Sequence, residues 1–221
     1  MTDCIALLGG SFDPVHQGHV ALGAHFAQLL QIDQLRVIPA GLPWQKPGLL
    51  QATPEQRAEM AALAFQGLPC PVMIDRQEIG RAAQGLPTYS IDTLRALRAE
   101  LGPQASLVFL MGADQLQRLD TWREWERLFD YAHIGVATRP GYTLDSAGLP
   151  AAVATELARR AGPLDRIRNT PQGLVYLAQD LAVDISATQI RAALQRGDSA
   201  NSLIPPLVLD YIEQHNLYKT A

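Results

Sequence analysis

The sequence has few cysteines, no excess of basic residues and no long apolar run. Its two cysteines, Cys4 and Cys70, are too few for a disulfide framework in 221 residues, and they indicate a reducing compartment. No apolar stretch reaches the roughly 20 residues that span a bilayer. The first residues also lack the basic region and apolar stretch of a signal peptide. We therefore expect a soluble, cytoplasmic protein that is not inserted in a membrane.

The overall charge excludes broad electrostatic binding to nucleic acid. The formal net charge is -4, so a site for phosphate must be local and built from helix ends and a few basic side chains. Hydrophobic residues make up 48% of the chain, enough for a substantial core. No repeat or break in composition appears, which predicts one domain over residues 1–221. The sequence leaves open whether copies of the chain form a homo-oligomer.

The segment 9–19, GGSFDPVHQGH, is the most informative part of the chain. It follows a short apolar run at 4–8 that predicts a buried parallel strand, and a helical pattern follows from about Gly18. Glycines let the backbone approach a ligand closely, and the start of the helix directs N–H groups and a positive dipole end towards it. His16 and His19 add imidazole donors at the same turn. This order of elements predicts a site for a polyphosphate.

This segment resembles the H-x-G-H signature of the nucleotidyltransferase superfamily, which is related to class I aminoacyl-tRNA synthetases. Its full form is similar to the nicotinate-mononucleotide adenylyltransferase family in particular. The resemblance implies that His16 and His19 are catalytic. It also implies that ATP is bound by Gly9, Gly10, Ser11, Phe12, Asp13 and Gly18. Asp13 could contact the metal through water or only shape the turn. Judged from the residues alone, a structural histidine pair is the alternative.

A second motif, DISATQIR at 184–191, resembles the same family's I-S-x-T-x-I-R segment. Ser186 and Gln189 predict a capping box for a helix over 187–196, and Gly197 predicts its end. An arginine in the second turn of that helix can hold phosphate oxygens with two parallel hydrogen bonds. The alternative is a capped surface helix with a solvated arginine. The resemblance implies a catalytic Arg191 and ATP binding by Ile185, Ser186 and Thr188.

Strand and helix patterns alternate along the rest of the chain. Further strands are predicted at 35–38, 72–74, 107–111, 134–137 and 174–177. Helices are predicted after a capping box at Thr53 and Gln56, over 91–101 and over 207–215, with a helical pattern at 153–160. Such alternation predicts an α/β fold with a doubly wound parallel sheet. The resemblance implies the Rossmann-like nucleotidyltransferase form, in which ligands bind beyond the carboxyl ends of the strands.

Residues 43–46, PWQK, follow the second predicted strand and resemble a family segment that binds substrate. The family usually has Pro-Pro-His-Lys or Pro-Pro-His-Arg here. The chain keeps the basic residue as Lys46, which could reach a substrate phosphate as a mobile charge. It departs from the family at Trp44 and Gln45, so no role of the family's histidine carries over. A solvated loop lysine is the alternative.

Residues 87–93, PTYSIDT, resemble the family's S-Y-T-x-x-T segment. We expect Ser90 to cap a helix, which would leave backbone N–H groups near Tyr89 and Ser90 available to an anion. The resemblance implies that these groups hold the nicotinate carboxylate. This chain has Thr88 where the family more often has serine, and Ser90 where the family more often has threonine. Helix capping alone would also explain the segment.

A third set of residues follows the fourth and fifth predicted strands. Asp114 comes directly after the fourth strand and could bind a ribose hydroxyl, help to orient the metal, or cap a helix. The resemblance implies that Trp122 stacks on the pyridine ring, which suits a planar cation. Trp125, three residues later, is expected to pack in the core. Arg139 matches a family position near the nucleotide.

The resemblance implies transfer of the adenylyl group of ATP to nicotinate mononucleotide, which gives nicotinate adenine dinucleotide and pyrophosphate in NAD biosynthesis. Reactions of this kind depend on positioning and on stabilising charge. Mg²⁺ would be held mainly by the phosphates and water, because the sequence has no cluster of carboxylates to cage it.

Four alternatives remain open at this stage. They are a phosphopantetheine adenylyltransferase, a nicotinamide-mononucleotide enzyme, a nucleotide sensor without turnover, and a zinc hydrolase built on the two histidines.

Overall fold

Six parallel strands form one sheet in the computed structural model, which describes residues 3–42, 50–138, 148–179, 181 and 185–219. In chain order they are β1 (Cys4–Gly10), β2 (Gln34–Pro39), β3 (Val72–Ile74), β4 (Ser106–Gly112), β5 (His133–Ala137) and β6 (Val175–Ala178). Their order across the sheet is β3-β2-β1-β4-β5-β6. Every neighbouring pair is parallel. This is the strand order of doubly wound Rossmann folds, and it confirms the predicted architecture.

Helices connect the strands and cover the sheet. In the described residues they are α1 (Gln17–Leu30), α2 (Pro54–Ala64), α3 (Gln77–Ala83), α4 (Ser90–Leu101), α5 (Ala113–Leu116), α6 (Ala151–Arg160), α7 (Leu164–Asn169), α8 (Ala187–Arg196) and α9 (Pro206–Gln214). Two 3₁₀ helices, Leu119–Thr121 and Trp125–Asp130, lie between α5 and β5. No helix among these combines the length and the apolar character needed to cross a membrane.

The strand β1 lies between two apolar cores, one on each face of the sheet. Cys4, Ala6 and Leu8 belong to the core that α1, α2, α8 and α9 share, whereas Ile5 and Leu7 belong to the core under α4 and α6. Successive side chains of a strand point to opposite faces, so a strand buried on both sides must be apolar throughout. This explains the unbroken apolar run with which the chain begins.

The termini of three helices test the predicted capping residues. Thr53 and Gln56 form the predicted capping box at α2, with N···O distances of 2.9 and 3.2 Å. The box at Ser186 is a wrong prediction, because Ser186 is the N-cap of α8 but its side chain makes no capping bond. The prediction that Ser90 caps α4 is also wrong, because Ser90 is the first residue of the helix and Tyr89 is its N-cap. The helix starts one residue early because the Tyr89 carbonyl already accepts from the N–H groups of Asp92 and Thr93.

His133 on β5 is a fully buried histidine with both ring nitrogens engaged. Its Nδ1 accepts the N–H of Leu174 at 3.0 Å, which places the ring proton on Nε2, 2.7 Å from the carbonyl oxygen of Thr170. Burial lowers the pKa of His133 from 6.5 to about 4, against the opposing effect of the hydrogen bond to Thr170. The histidine therefore ties β5 to the turn before β6 in its neutral form.

We expect the free energy of unfolding to decrease as the pH falls from about 6.5 to about 4. The unfolded chain takes up a proton on His133 near pH 6.5, whereas the folded chain does so only near pH 4. The difference removes up to about 3 kcal/mol of stability over this range. Urea unfolding at several pH values measures it, with His133→Gln as the comparison. An equal slope of stability against pH in the wild type and the variant would contradict the assignment.

Candidate active site

The last residues of β1, Gly9 and Gly10, and the turn after them lie at the carboxyl edge of the sheet. A Cβ on Gly10 would lie 2.8 Å from the Phe12 ring, so a side chain there would displace the ring. Phe12 itself has a φ of 49° and is fully buried. Gly9 is exposed, and a Cβ there would meet only the ring of Phe109 at 3.5 Å. The predicted close approach of a ligand is thus sterically open at Gly9, whereas Gly10 is needed for the packing of the turn.

The two histidines of the first motif lie face to face at the start of α1. The ring centroids of His16 and His19 are 3.7 Å apart, with 27° between the planes. The N–H of His16 donates to Nδ1 of His19 at 3.2 Å, which leaves the neutral ring of His19 with its proton on Nε2. Nε2 of His19 is therefore a donor. The structure brings together the two imidazoles that the spacing predicts for the phosphate turn.

The helix α1 begins at Gln17, one residue before the predicted start near Gly18. His16 is its N-cap, and the His16 carbonyl accepts the N–H groups of His19 and Val20 at 2.9 and 3.3 Å. The N–H of Gln17 donates to the carbonyl of Leu203 at 2.9 Å. The N–H of Gln17, one of those expected to face a phosphate, is therefore bonded to the segment around Leu203 instead.

Arg191 extends from α8 to the loop between β1 and α1. Its Nη1 donates to the backbone carbonyl of Asp13 at 2.6 Å, and its Nη2 lies 3.4 Å from the hydroxyl of Thr188. The Ile185 side chain, which precedes α8, packs against the core. Asp13 and Arg191 lie 178 residues apart in sequence, and their contact brings the two motifs together at one loop. Asp184, the first residue of the second motif, lies outside the described residues.

The Asp13 carboxylate is buried and holds the loop in shape. It accepts hydrogen bonds from the backbone N–H groups of Gln51 and Ala52 at 2.9 and 3.0 Å, and from the Tyr218 hydroxyl at 2.8 Å. Only 1% of Asp13 is exposed. Of the two roles left open by the sequence, these contacts favour shaping of the turn over contact with a metal ion.

Arg57 on α2 is a fully buried arginine beneath the same loop, and it belongs to none of the motifs found in the sequence. Its Nη1 donates to the carbonyl of Ser11 at 2.8 Å. Its Nη2 lies 3.5 Å from the carbonyl of Gly41, in the segment after β2. Burial lowers the pKa of Arg57, and the nearby Asp13 carboxylate opposes this shift. A signal for Arg57 was available in its spacing, because it lies four residues before Ala61 on the buried face of α2.

The segment around Tyr89 is tied to other loops at the same edge of the sheet. The Thr88 hydroxyl donates to the carbonyl of Leu42 at 3.0 Å. The guanidinium carbon of Arg123 lies 4.9 Å from the centroid of the Tyr89 ring. Arg123 follows Trp122 directly, so this contact joins two of the segments predicted to bind substrate. Neither Thr88 nor Arg123 belongs to the predicted set of site residues.

Trp122 packs against Phe109 and directly precedes Arg123, which contacts the Tyr89 ring. Its ring is edge-on to that of Phe109, with 6.3 Å between the centroids, and the same Phe109 ring approaches Gly9. The buried indole Nε1 of Trp122 has no acceptor among the described residues. Asp114 is exposed, and its Oδ2 accepts from the side chain of Gln115 at 2.8 Å. Trp125 packs partly buried against the core, as predicted.

Several predicted site residues lie outside the part of the chain that the structure describes. They are Lys46 with its neighbours Trp44 and Gln45, and Arg139. The described ends of their segments are at the carboxyl edge of the sheet, since Leu42 follows β2 and Thr138 follows β5. Their roles remain predictions from the sequence.

The described residues offer no cage for a metal ion. Among them no group of three or more histidine, cysteine, aspartate or glutamate residues is placed to hold one. Cys4 and Cys70 are both free, Cys4 in the buried strand β1 and Cys70 just before β3. Hydrogen bonds to protein groups already engage the carboxylate of Asp13.

A parallel sheet of this strand order carries a glycine-rich strand end, two stacked imidazoles and an arginine at one loop, an arrangement suited to binding phosphate groups. The cytidylyltransferase-like family matches residues 7–193, which include both motifs. A nicotinate-nucleotide adenylyltransferase of Herminiimonas arsenicoxydans is 62% identical over 100% of this chain and 99% of its own length. One from Laribacter hongkongensis is 42% identical over 98% of this chain and 94% of its own. The chain therefore belongs to the nicotinate-nucleotide adenylyltransferase family.

A solved structure has the same fold. It is the Plasmodium falciparum nicotinic acid mononucleotide adenylyltransferase complexed with NaAD, with a TM-score of 0.71. The match covers 98% of this chain and 97% of that one at 21% identity. The likeness extends along nearly the whole length of both chains, and it confirms the Rossmann-like nucleotidyltransferase architecture.

Proposed function

We propose that this chain transfers the adenylyl group of ATP to nicotinate mononucleotide, with nicotinate adenine dinucleotide and pyrophosphate as products. The observation that carries the proposal is the meeting of the stacked pair His16 and His19 with Arg191 at the loop after β1. The names of relatives that match the whole length of the chain support it. The reaction belongs to NAD biosynthesis.

The phosphate of the mononucleotide is itself the nucleophile in this reaction. One of its oxygens forms a bond to the α-phosphorus of ATP, and the bond from that phosphorus to the bridging oxygen of the β-phosphate breaks. The electron pair leaves with pyrophosphate, so no covalent intermediate with the protein is needed. The task of the chain is to align the two substrates and to stabilise charge on the phosphate oxygens.

We assign the ATP half of the site to the loop and the two helix starts around it. His19 donates from Nε2 to a phosphate oxygen, and His16 lies stacked against it. Arg191 holds the β- and γ-phosphates from the opposite side of the loop. The remaining ATP-binding residues of this proposal are Gly9, Gly10, Ser11, Phe12, Asp13, Gly18, Ile185, Ser186 and Thr188.

We assign the mononucleotide half to the loops after β2, β4 and β5 and to the start of α4. Backbone N–H groups near Tyr89 and Ser90 meet the nicotinate carboxylate, and Trp122 stacks on the pyridine ring. Asp114 binds a ribose hydroxyl, while Lys46 and Arg139 supply positive charge to the mononucleotide. The Phe109 ring lies between the two halves, in contact with Trp122 and close to Gly9.

Mg²⁺ fits this site as an ion that arrives with the phosphates of ATP. It supplies positive charge that offsets the charge of the polyphosphate. Phosphate oxygens and water hold it in this proposal, since the Asp13 carboxylate is engaged by three hydrogen bonds. We further propose that residues 1–221 act as one domain and that the enzyme works in the cytoplasm. A homo-oligomer is compatible with the proposal.

Pyrophosphate release from ATP tests the proposed reaction. Three acceptors are offered in parallel, nicotinate mononucleotide, nicotinamide mononucleotide and phosphopantetheine, each with a control that lacks the acceptor. We expect release with nicotinate mononucleotide, in equal amount to the dinucleotide formed. Release with phosphopantetheine alone would reject the proposal in favour of another adenylyltransferase. No release with any acceptor would favour a nucleotide sensor.

A further inference from the structure

Two residues near the C-terminus, Leu203 and Tyr218, form hydrogen bonds with the loop that carries the catalytic histidines. Leu203 accepts the N–H of Gln17 at the first turn of α1, at 2.9 Å. The Tyr218 hydroxyl donates to Oδ1 of Asp13 at 2.8 Å. Tyr218 is only 5% exposed although it follows the last helix, α9. Two bonds thus fix the C-terminal segment to the loop on either side of His16.

The same loop is held from two other directions. Arg57 of α2 donates to the Ser11 carbonyl at 2.8 Å, and Arg191 of α8 donates to the Asp13 carbonyl at 2.6 Å. The second oxygen of the Asp13 carboxylate, Oδ2, lies 3.8 Å from Nη1 of Arg191. The carboxylate therefore faces a tyrosine hydroxyl on one side and a guanidinium that belongs to the ATP site on the other.

We propose that Tyr218 is a positioning residue for ATP, which acts through the Asp13 carboxylate on the phosphate loop and on Arg191. The inference rests on the proposed function, since it names the part of the chain that sets the geometry of that ATP site. The hydroxyl shares Oδ1 with the N–H of Ala52, and within the described residues it is the one side-chain donor among three hydrogen bonds to the carboxylate, so it helps to fix the carboxylate's rotation. It also offsets part of the negative charge that would otherwise draw Arg191 away from the phosphates of ATP.

The chemistry of Tyr218 suits this task. Burial, and then the charge of Asp13, raise the pKa of Tyr218 above its usual value, so the phenol is protonated and can donate at neutral pH. The nearby charges of Arg191 and Arg57 oppose this shift. The bond joins a neutral donor to a carboxylate, a type that is shorter and stronger than a bond between neutral groups.

The variant Tyr218→Phe tests the inference, because it removes one oxygen atom and keeps the ring. We expect the KM for ATP to rise about tenfold or more and kcat to fall, since displaced catalytic groups cost rate. The KM for nicotinate mononucleotide should stay within about twofold. In the described residues the Asp13 carboxylate is bonded to Gln51, Ala52 and Tyr218, and none of these is assigned to the mononucleotide half. ATP binding to the free enzyme, measured by calorimetry, should weaken by the same factor as KM rises.

Tyr211→Phe is the matched control. Tyr211 lies on α9 and its hydroxyl donates to the Glu59 carboxylate of α2, away from the loop. Tyr211→Phe loses the same atom from the same end of the chain, but from an exposed hydrogen bond, so we expect a smaller change in melting temperature and unchanged kinetic constants. Equal kinetics for Tyr218→Phe and Tyr211→Phe would overturn the inference.

A double-mutant cycle with Arg191→Lys tests the route through Arg191. If Tyr218 acts through Asp13 on Arg191, its removal should weaken ATP binding far less in the Arg191→Lys background. Additive losses would overturn the inference. Calorimetry decides these outcomes whether or not nicotinate mononucleotide is the acceptor. A wild-type protein that binds ATP but forms no dinucleotide would count against the proposed function alone.

Discussion

Replacing His19 by asparagine is expected to lower kcat by roughly 10²-fold or more, because one preorganised donor to the phosphates is lost. The asparagine Oδ1 can still accept the His16 N–H, which His19 now receives on Nδ1. The hydrogen bond at the start of α1 should therefore survive while the donor at Nε2 disappears. Steady-state kinetics at saturating ATP and mononucleotide measure the effect.

Two further variants separate catalysis from folding at His19. His19→Ala loses both the donor and the acceptor, so we expect a similar kcat and a lower melting temperature than for His19→Asn. His25→Asn changes a histidine on the same helix that the proposed site does not use, and it should keep normal turnover. Near-normal turnover in a folded His19→Asn protein would remove His19 from the mechanism.

Nicotinate mononucleotide is expected to be preferred over the amide by roughly 10²-fold or more in kcat/KM. The N–H groups of Ser90 and Ile91 precede the first bonds of α4, which run from Asp92 and Thr93 to the carbonyl of Tyr89. Such donors suit a carboxylate, whereas an amide would set its own NH₂ against one of them. A buried donor left unpaired costs about 1–3 kcal/mol, and the loss of a charged acceptor adds to this.

The control for this preference is Trp122→Ala. Stacking does not distinguish the acid from the amide, so the variant should weaken both substrates by a similar factor and leave their ratio unchanged. The ratio of kcat/KM, measured with both substrates in competition, is the relevant quantity. Equal kcat/KM for acid and amide in the wild type would reject the carboxylate pocket and leave the ATP half of the proposal intact.

The sequence predicted the fold because its signals were local and strong. Buried parallel strands are unbroken apolar runs, and all six were placed to within about two residues. The short helices α3 and α7 were not predicted, because seven and six residues are too few to show an amphipathic period. The capping box at Ser186 was wrong for a different reason. Arg191 anchors α8 to the loop, so the helix does not depend on a side-chain cap.

The sequence predicted the site residues that belong to motifs and missed those that support the loop from other parts of the fold. His16, His19 and Arg191 belong to motifs whose residues are close in sequence, and the structure brings them to one loop. Helical spacing places Arg57 on the buried face of α2, but no local pattern encodes its contact 46 residues away or that of Tyr218 205 residues away. Long-range hydrogen bonds that support a loop can be identified only from the folded structure.

Transfer of labelled phosphorus tests the central claim most directly. ATP carries the label either at the α- or at the γ-phosphate, and the enzyme receives nicotinate mononucleotide as the acceptor. We predict that the α-label appears in nicotinate adenine dinucleotide and the γ-label in pyrophosphate, and that both transfers nearly vanish in His19→Asn. An α-label found only in free AMP, or a γ-label found on the mononucleotide, would contradict adenylyl transfer by this chain.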